Sequence, residues 1–214
     1  MLLNFDYFKS LYKFDIRGIL HIGAHYGQEY ELYKRHNIKD IIFFEPLKEN
    51  FKVLTQNVPT EEGTILINKA LGNQTRKVEM YVESANQGQS SSILRPNLHL
   101  KQYPHITFDE KETVEMVRLD DLLPLLNLEK YNMINMDVQG YELEVLRGGS
   151  KYLNHVDYIF TEVNRDMLYE NNAMVEEIDS FLSEYDFSRV ATNWQGNTWG
   201  DALYVKDDDD DDYE

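Results

Sequence analysis

Cysteine is absent from this chain of 214 residues, which excludes disulfides and thiolate metal sites. No apolar run approaches the ~18–20 residues that a membrane-spanning helix needs. The segment Met1-Leu2-Leu3-Asn4-Phe5-Asp6 carries neither the basic stretch nor the long apolar stretch of a signal peptide. A cytoplasmic protein is expected, in which the Asn73-Gln74-Thr75 sequon goes unused. Positive charge is scarce: 21 Lys and Arg stand against 38 Asp and Glu, for a formal net charge of −17. Seven of those negative charges belong to Asp207 through Asp212 and Glu214, and −17 without those seven leaves −10 on the body. Such a run of like charge predicts a disordered acidic tail over 207–214. The clusters of Lys and Arg that neutralise phosphates are missing, so nucleic acid is not an expected partner, nor is a membrane. No internal repeat is present, and residues 1–206 read as one domain, with 1–17 as an N-terminal helical extension.

What is present alternates between strand and helix, the pattern of an α/β fold with a mostly parallel, doubly wound sheet. Apolar periodicity predicts an N-terminal helix near 2–12, strand 18–23, helix 27–36, strand 40–45 and helix 47–57. Strands 64–70 and 76–83 follow, then a polar stretch over 84–112, strand 113–118 and a short helix from Leu119. The remainder reads as strand 132–137, helix 141–153, strand 156–162 and helix 173–184, ending in strands 187–193 and 201–206. Only a turn around Gln195-Gly196-Asn197 separates the last two, so they should be antiparallel neighbours.

Two strand ends carry a nucleoside-binding pattern. Ile19-Leu20-His21-Ile22 runs into Gly23-Ala24-His25-Tyr26-Gly27-Gln28-Glu29, and Ile41-Ile42-Phe43-Phe44 runs into Glu45-Pro46. Glycines alone mark no more than a strand end and a helix start. With a carboxylate about 20 residues further on, they match a glycine loop followed by an acid for the ribose hydroxyls. A dinucleotide would need G-x-G-x-x-G, whose middle glycine admits the pyrophosphate. Here Ala24 and His25 interrupt that approach. A cofactor without phosphates, S-adenosylmethionine, is compatible.

A third strand, Asn132-Met133-Ile134-Asn135-Met136, runs into Asp137-Val138-Gln139-Gly140-Tyr141-Glu142. Ligands of open α/β sheets bind at the carboxyl ends of the strands, near the topological switch. Asp137 is therefore expected to face the Gly23 loop, with Glu162 at the same edge one strand further along. Glu142 and Glu144 are read as carboxylates in a first helical turn, where they suit the helix dipole. A loop as long as 84–112 is either functional or disordered, and in the functional reading Tyr103, Pro104, His105 and Phe108 offer an aromatic wall to a sugar ring.

Taken in order, these motifs resemble the FkbM-type S-adenosylmethionine-dependent methyltransferases from about Gly18 to Lys206. The landmarks are His21 to Glu29, Phe44-Glu45-Pro46, Asn68-Lys69-Ala70-Leu71-Gly72, Gly88-Gln89-Ser90-Ser91-Ser92-Ile93-Leu94, Val117 to Leu123, and Met136 to Leu146. The resemblance implies a class I methyltransferase fold and methyl transfer to a hydroxyl oxygen, often on a sugar or natural product. It implies a cofactor site built from Ile22, Gly23, Ala24, His25, Gly27, Gln28, Glu29, Glu45, Pro46, Ala70, Leu71, Ser90, Ser91, Ser92, Asp137, Val138 and Gln139. The family often has Asp where His21 stands, Asn where His25 stands and Glu where Gln139 stands. His21, inside its strand, is expected to be a packed, hydrogen-bonded histidine.

Methyl transfer to a hydroxyl calls for in-line positioning and a base. Asp137 is the first candidate base, His25 the second and Glu162 the third. A Mg²⁺ held by Asp137 and Glu162 is an alternative to a base, and the neutral Gln139 beside them counts against it. The acceptor is expected to be a sugar, glycan or other hydroxylated small molecule, and a homodimer is compatible with the chain. Two other readings stay open: a Rossmann-like cofactor-binding module without activity, and a nicotinamide-dependent oxidoreductase. The nucleic-acid amino-methylating type would show Pro-Pro-aromatic after its strand-end acid, where Val138-Gln139-Gly140 stands here.

Overall fold

The computed structural model describes residues 4–125, 127 and 130–207. The predicted acidic tail lies, apart from Asp207, outside the described residues. In chain order the elements are α1 (Phe5–Leu11), β1 (Gly18–Ile22), α2 (Tyr30–Arg35), β2 (Asp40–Phe44), α3 (Lys48–Asn57), β3 (Thr64–Ile67), β4 (Ala70–Leu71), β5 (Arg76–Val82), α4 (His99–Gln102), β6 (Glu110–Val117), α5 (Leu119–Leu122), β7 (Met133–Met136), α6 (Glu142–Gly148), β8 (Tyr158–Asn164), α7 (Val175–Ser183), β9 (Phe187–Gln195) and β10 (Trp199–Lys206).

The main sheet has seven strands in the order β3-β2-β1-β7-β8-β10-β9. The first five are parallel, and β10 runs antiparallel to both neighbours. The predicted C-terminal hairpin is thus observed, with β10 inserted between β8 and β9. Strand order reverses between β1 and β7, so the crevice at their carboxyl ends is the switch point where a ligand is expected. Ile22 pairs with Met136 there, which sets Gly23 opposite Asp137.

Parallel strands covered on both faces read as continuous apolar runs, and Ile19, Leu20, Ile41, Ile42, Phe43 and Phe44 are all essentially inaccessible. Each such side chain contributes roughly 1.5–3 kcal/mol by burial. One face of the sheet packs Phe5 of α1, Tyr30 and Tyr33 of α2 and Leu54 of α3 against Ile19, Phe43, Met133 and Phe160. The other packs Leu143 and Leu146 of α6 and Ile178 and Leu182 of α7 against Leu20, Ile42, Ile134 and Ile159. Among the described residues no helix is long and apolar enough to cross a membrane.

Some elements depart from expectation. Strands β4, β6 and β5 form a separate three-stranded sheet, whose Val78, Met80, Val114 and Met116 cover the second face of the main sheet. The predicted strand 64–70 therefore splits at Asn68-Lys69, one part in each sheet. The predicted helix 141–153 ends at Gly148. A Cβ there would lie 1.9 Å from the Gly72 carbonyl oxygen, and the backbone continues into a separate 3-10 turn over Tyr152–His155. Strand β8 extends two residues beyond its expected end, to Asn164.

Candidate active site

The glycine loop follows β1 with Gly23 at φ 79° and His25 at φ 48°. Gly23 is required: a Cβ would lie 1.9 Å from the Asp137 carbonyl oxygen, so the two strand ends touch through backbone alone. Left-handed φ at position 25 is tolerated best by Gly or Asn, which accounts for the Asn that the resemblance places there. The loop is held by Glu45, whose Oε2 accepts from the His25 backbone N–H at 2.8 Å and whose Oε1 accepts from Leu47 N–H at 2.9 Å. Asn68 secures the turn by donating to the carbonyls of Glu45 and Pro46, both at 2.9 Å.

Glu45 stands in a narrow, largely apolar slot with Ile22, Phe44, Leu47, Leu71, Met80 and Ile93. Burial pushes its carboxyl up to about 8, against the downward pull of the Leu47 and His25 N–H groups. A second, wider cavity of about 640 Å³ opens on the other side of the loop, over the carboxyl ends of β1, β7 and β8. Gly23, His25, Gln89, Asp137 and Gln139 line both and mark their junction.

Asp137 lies on the floor of the wider cavity and open to it. Its Oδ1 accepts from Gln139 Nε2 at 2.7 Å, and the same amide nitrogen donates to Glu162 Oε2 at 3.0 Å. Tyr169 fixes the other end of that amide: its hydroxyl is 2.8 Å from Gln139 Oε1 and 2.8 Å from the Ser90 carbonyl oxygen. Burial and the surrounding carboxylates keep the Tyr169 phenol far above its ordinary value, so it stays a donor. Ser92 donates to the Gln139 carbonyl at 2.7 Å, which holds Gln139 at φ 54°. Glu142, at the start of α6, does more than face the helix dipole. Its Oε1 accepts from Val138 and Gly140 N–H, each at 3.1 Å, so it clamps the loop that carries Asp137.

Asp137, Glu142 and Glu162 each offer an oxygen within 4.8 Å of one another, a set able to hold a divalent cation. Burial raises all three: Glu142 is pushed up to about 7, and Asp137 and Glu162 also lie above the ordinary carboxylate range. Gln139 lowers Asp137 by its hydrogen bond, while Asp137 pushes Glu162 higher still.

The sequence-predicted residues divide between the two cavities. Ile22, Glu45, Pro46, Ala70, Leu71, Ser91 and Val138 line the narrow slot, and Ala24, Gln28, Glu29, Ser90 and Glu162 line the wide cavity. Gly27 and Ser92 line neither. Gly27 turns the chain against Val58 and Leu54, and Ser92 is fully buried beneath Gln139. Both ring nitrogens of His25 are engaged, Nε2 with the Gln87 carbonyl and Nδ1 with the Gln28 amide, each at 2.8 Å. His21 is packed as expected, its Nδ1 3.1 Å from the Tyr33 hydroxyl, and burial lowers its imidazole below the ordinary value. Of the expected aromatic wall, Tyr103 and His105 line the wide cavity, and Phe108 packs edge-on against His99 instead. Trp199 extends that wall, and Asp201 lines the cavity beside it. Their strand was expected to begin only at Asp201, and its earlier start brings Trp199 in.

A family model for the methyltransferase FkbM domain matches residues 21–189. The chain belongs to this family. It is 28% identical over 174 residues to the 2-O-methyltransferase NoeI of Sinorhizobium fredii, a match covering 78% of this chain and 72% of that protein. It is 24% identical over 126 residues to the hexuronic acid methyltransferase AglP of Haloferax volcanii, covering 58% of this chain and 47% of that protein. Among solved structures, Sp1610 of Streptococcus pneumoniae superposes with a TM-score of 0.51 at 12% identity, covering 95% of this chain and 71% of that one. A Rossmann-superfamily protein of Streptococcus agalactiae gives 0.52 at 10% identity, covering 96% and 69%. At that identity the superpositions speak for the fold alone, a class I methyltransferase sheet.

The protein is a methyltransferase whose methyl donor is S-adenosylmethionine, and its residues fit that donor. The slot beside Glu45 offers apolar walls to a purine and a buried carboxylate to ribose hydroxyls, with no basic cluster for phosphates. If ribose hydroxyls donate to Glu45, they stabilise its ionised form, and binding should release the proton that burial retains. With the free carboxyl at about 8, nucleoside affinity should rise with pH and level off above that value. 5′-Deoxy-5′-methylthioadenosine, which keeps the adenosine and has no group titrating in this range, should bind about tenfold tighter at pH 9 than at pH 7. Calorimetry reads this directly, and a flat profile would remove Glu45 from the ribose contact.

Proposed function

We propose that this protein methylates a hydroxyl oxygen of a sugar, glycan or related small molecule. The observation that carries the reading is the position of Asp137, a carboxylate open to the wide cavity where the narrow slot beside Glu45 meets it, close to an aromatic wall. The names of the relatives NoeI and AglP point the same way. When bound, S-adenosylmethionine supplies an electrophilic methyl group on a sulfonium.

The chain's own residues supply position and base. Tyr103 and Trp199 line the acceptor cavity, and the Trp199 Nε1–H donates to the Tyr103 hydroxyl at 2.9 Å, which fixes their relative position. Asp137 accepts the proton of the acceptor hydroxyl, a contribution of about 10²–10⁴-fold. Gln139, held by Tyr169 and Ser92, keeps the Asp137 carboxylate aimed at the junction. His25 serves through its backbone N–H on Glu45, since its ring is engaged with protein partners. Both cavities are built within one chain, so the reading does not depend on a homodimer. It places the reaction in the cytoplasm, in keeping with a cysteine-free sequence.

A mass-spectrometric screen of sugars, glycans and RNA for the gain of one CH₂ tests this reading. Saccharide products are expected and RNA products are not. Cofactor binding without transfer to any hydroxyl compound would favour the inactive-module alternative.

A further inference from the structure

His99 opens α4 and lines the wide cavity, yet the residue is only 4% exposed. Its Nδ1 is buried and bonds no protein group among the described residues. The backbone holds the residue in place: its N–H donates to the Leu168 carbonyl at 3.1 Å, and the Tyr103 N–H donates to its carbonyl at 2.8 Å. The rings of Tyr103, Phe108 and Tyr169 pack around the imidazole, with centroids 5.0, 5.5 and 5.5 Å away. None of them satisfies the nitrogen. Phe108 has no polar side-chain atom, and the Tyr169 hydroxyl serves Gln139 and the Ser90 carbonyl. The Tyr103 hydroxyl accepts from Gln102 and Trp199. Burial holds the His99 imidazole below its ordinary value, so the ring is neutral, with one donor and one acceptor nitrogen.

A buried polar group without a partner destabilises a fold, and native proteins keep few of them. His21, another buried histidine of the same cavity, shows the ordinary case: its Nδ1 has the Tyr33 hydroxyl 3.1 Å away. An unpartnered imidazole on the wall of a ligand cavity is explained when the ligand brings the partner. Saccharide hydroxyls both donate and accept, so they suit either nitrogen of a neutral ring. The hydroxyl that reacts gives its proton to Asp137, which leaves the others for the wall. Resting on the sugar-methylation reading above, we infer that the His99 imidazole turns about its Cβ–Cγ bond to hydrogen-bond a saccharide hydroxyl other than the one methylated. His99 is then an acceptor-binding residue, and its bond helps to select which hydroxyl reaches Asp137.

The test uses the full chain, the methyl glycosides of glucose, galactose and mannose, and their monodeoxy analogues. Binding to the S-adenosylhomocysteine-loaded protein is read by NMR titration, and methyl transfer by mass spectrometry. For the glycoside that binds best, one monodeoxy analogue should lose about tenfold in affinity, the worth of one neutral hydrogen bond. His99→Phe should lose about tenfold for the parent glycoside and no longer distinguish that analogue from it. Affinity for S-adenosylhomocysteine should stay unchanged, and the unfolding midpoint should hold or rise, because an apolar ring replaces an unpartnered nitrogen. His99→Asn, which keeps a polar side chain, should recover part of the discrimination. Should the Phe variant fail to fold, His99→Leu carries the same expectations. Glycoside binding in the apolar variant equal to wild type overturns the inference, as does a variant that still distinguishes every analogue as wild type does. Binding that depends on His99 but leads to no methyl transfer would uphold the inference while removing the sugar-methylation reading. Saccharide methylation that is indifferent to His99 would remove the inference alone, and binding of no saccharide at all would overturn both.

Discussion

Asp137→Asn is expected to lower methyl transfer about 10²–10⁴-fold while S-adenosylhomocysteine still binds. The substitution keeps the size of the side chain and an oxygen to accept from Gln139 Nε2, which now donates to Asp137 Oδ1 at 2.7 Å. It removes the basic carboxylate at the junction of the two cavities. Because burial raises the Asp137 carboxyl, wild-type turnover should climb with pH as that group ionises, and the variant should lose this limb. His25→Ala is the rival. It should disturb loop packing more than proton transfer, since its ring nitrogens already bond Gln87 and Gln28. Should His25→Ala alone abolish turnover while Asp137→Asn retains most of it, the roles are exchanged. The rival role for the same carboxylate is cation binding, because Asp137, Glu142 and Glu162 converge within 4.8 Å. Loss of wild-type activity in EDTA, restored by Mg²⁺, would make Asp137 a metal ligand instead of a base.

The strand ends were legible because sequence spacing and sheet geometry coincide there. A parallel strand whose residues are buried on both faces leaves a continuous apolar run, and the first polar residue after it lies at the carboxyl edge where ligands bind. That rule located Gly23, Glu45 and Asp137 without any long-range contact being known, whereas Glu162 lines the cavity from inside β8, two residues before the strand ends. The rule failed for Glu142, whose place in a first helical turn is correct but whose carboxylate turns back onto the Val138–Gly140 loop and is buried. Nothing in a helical period separates an inward from an outward carboxylate at that position. Tyr169 was missed for a different reason. It sits in the irregular segment between β8 and α7, and it reaches Gln139 only because backbone bonds such as Asn97 N–H to the Leu168 carbonyl tie that segment to the 92–99 loop. The three-stranded sheet was hidden because β4 is two residues long, too short to show a period. The aromatic wall was half legible: Tyr103 came from composition, whereas Trp199 enters through the register that pairs it with Asn164.

Glu45→Ala should weaken S-adenosylhomocysteine binding by roughly 1.5–3 kcal/mol, the worth of hydrogen bonds to a charged group. That corresponds to about 10–150-fold in Kd. The side chain is 4% exposed and already accepts from two backbone donors, so its loss acts on two links of the chain at once. It removes the proposed acceptor of the ribose hydroxyls, and it leaves the His25 and Leu47 N–H groups without their partner, which loosens the loop around Gly23. The two effects separate by ligand. Methylthioadenosine and S-adenosylhomocysteine both carry the ribose, so both should lose affinity by the same factor if the ribose contact dominates. A larger loss for S-adenosylhomocysteine would locate the damage outside the ribose contact, since only that ligand carries a homocysteine arm beyond the nucleoside. Removing Glu45 also removes the group that burial pushes up to about 8, so the variant's nucleoside affinity should no longer change between pH 7 and pH 9. Unchanged affinity for both ligands in Glu45→Ala would end the assignment of this carboxylate to the ribose.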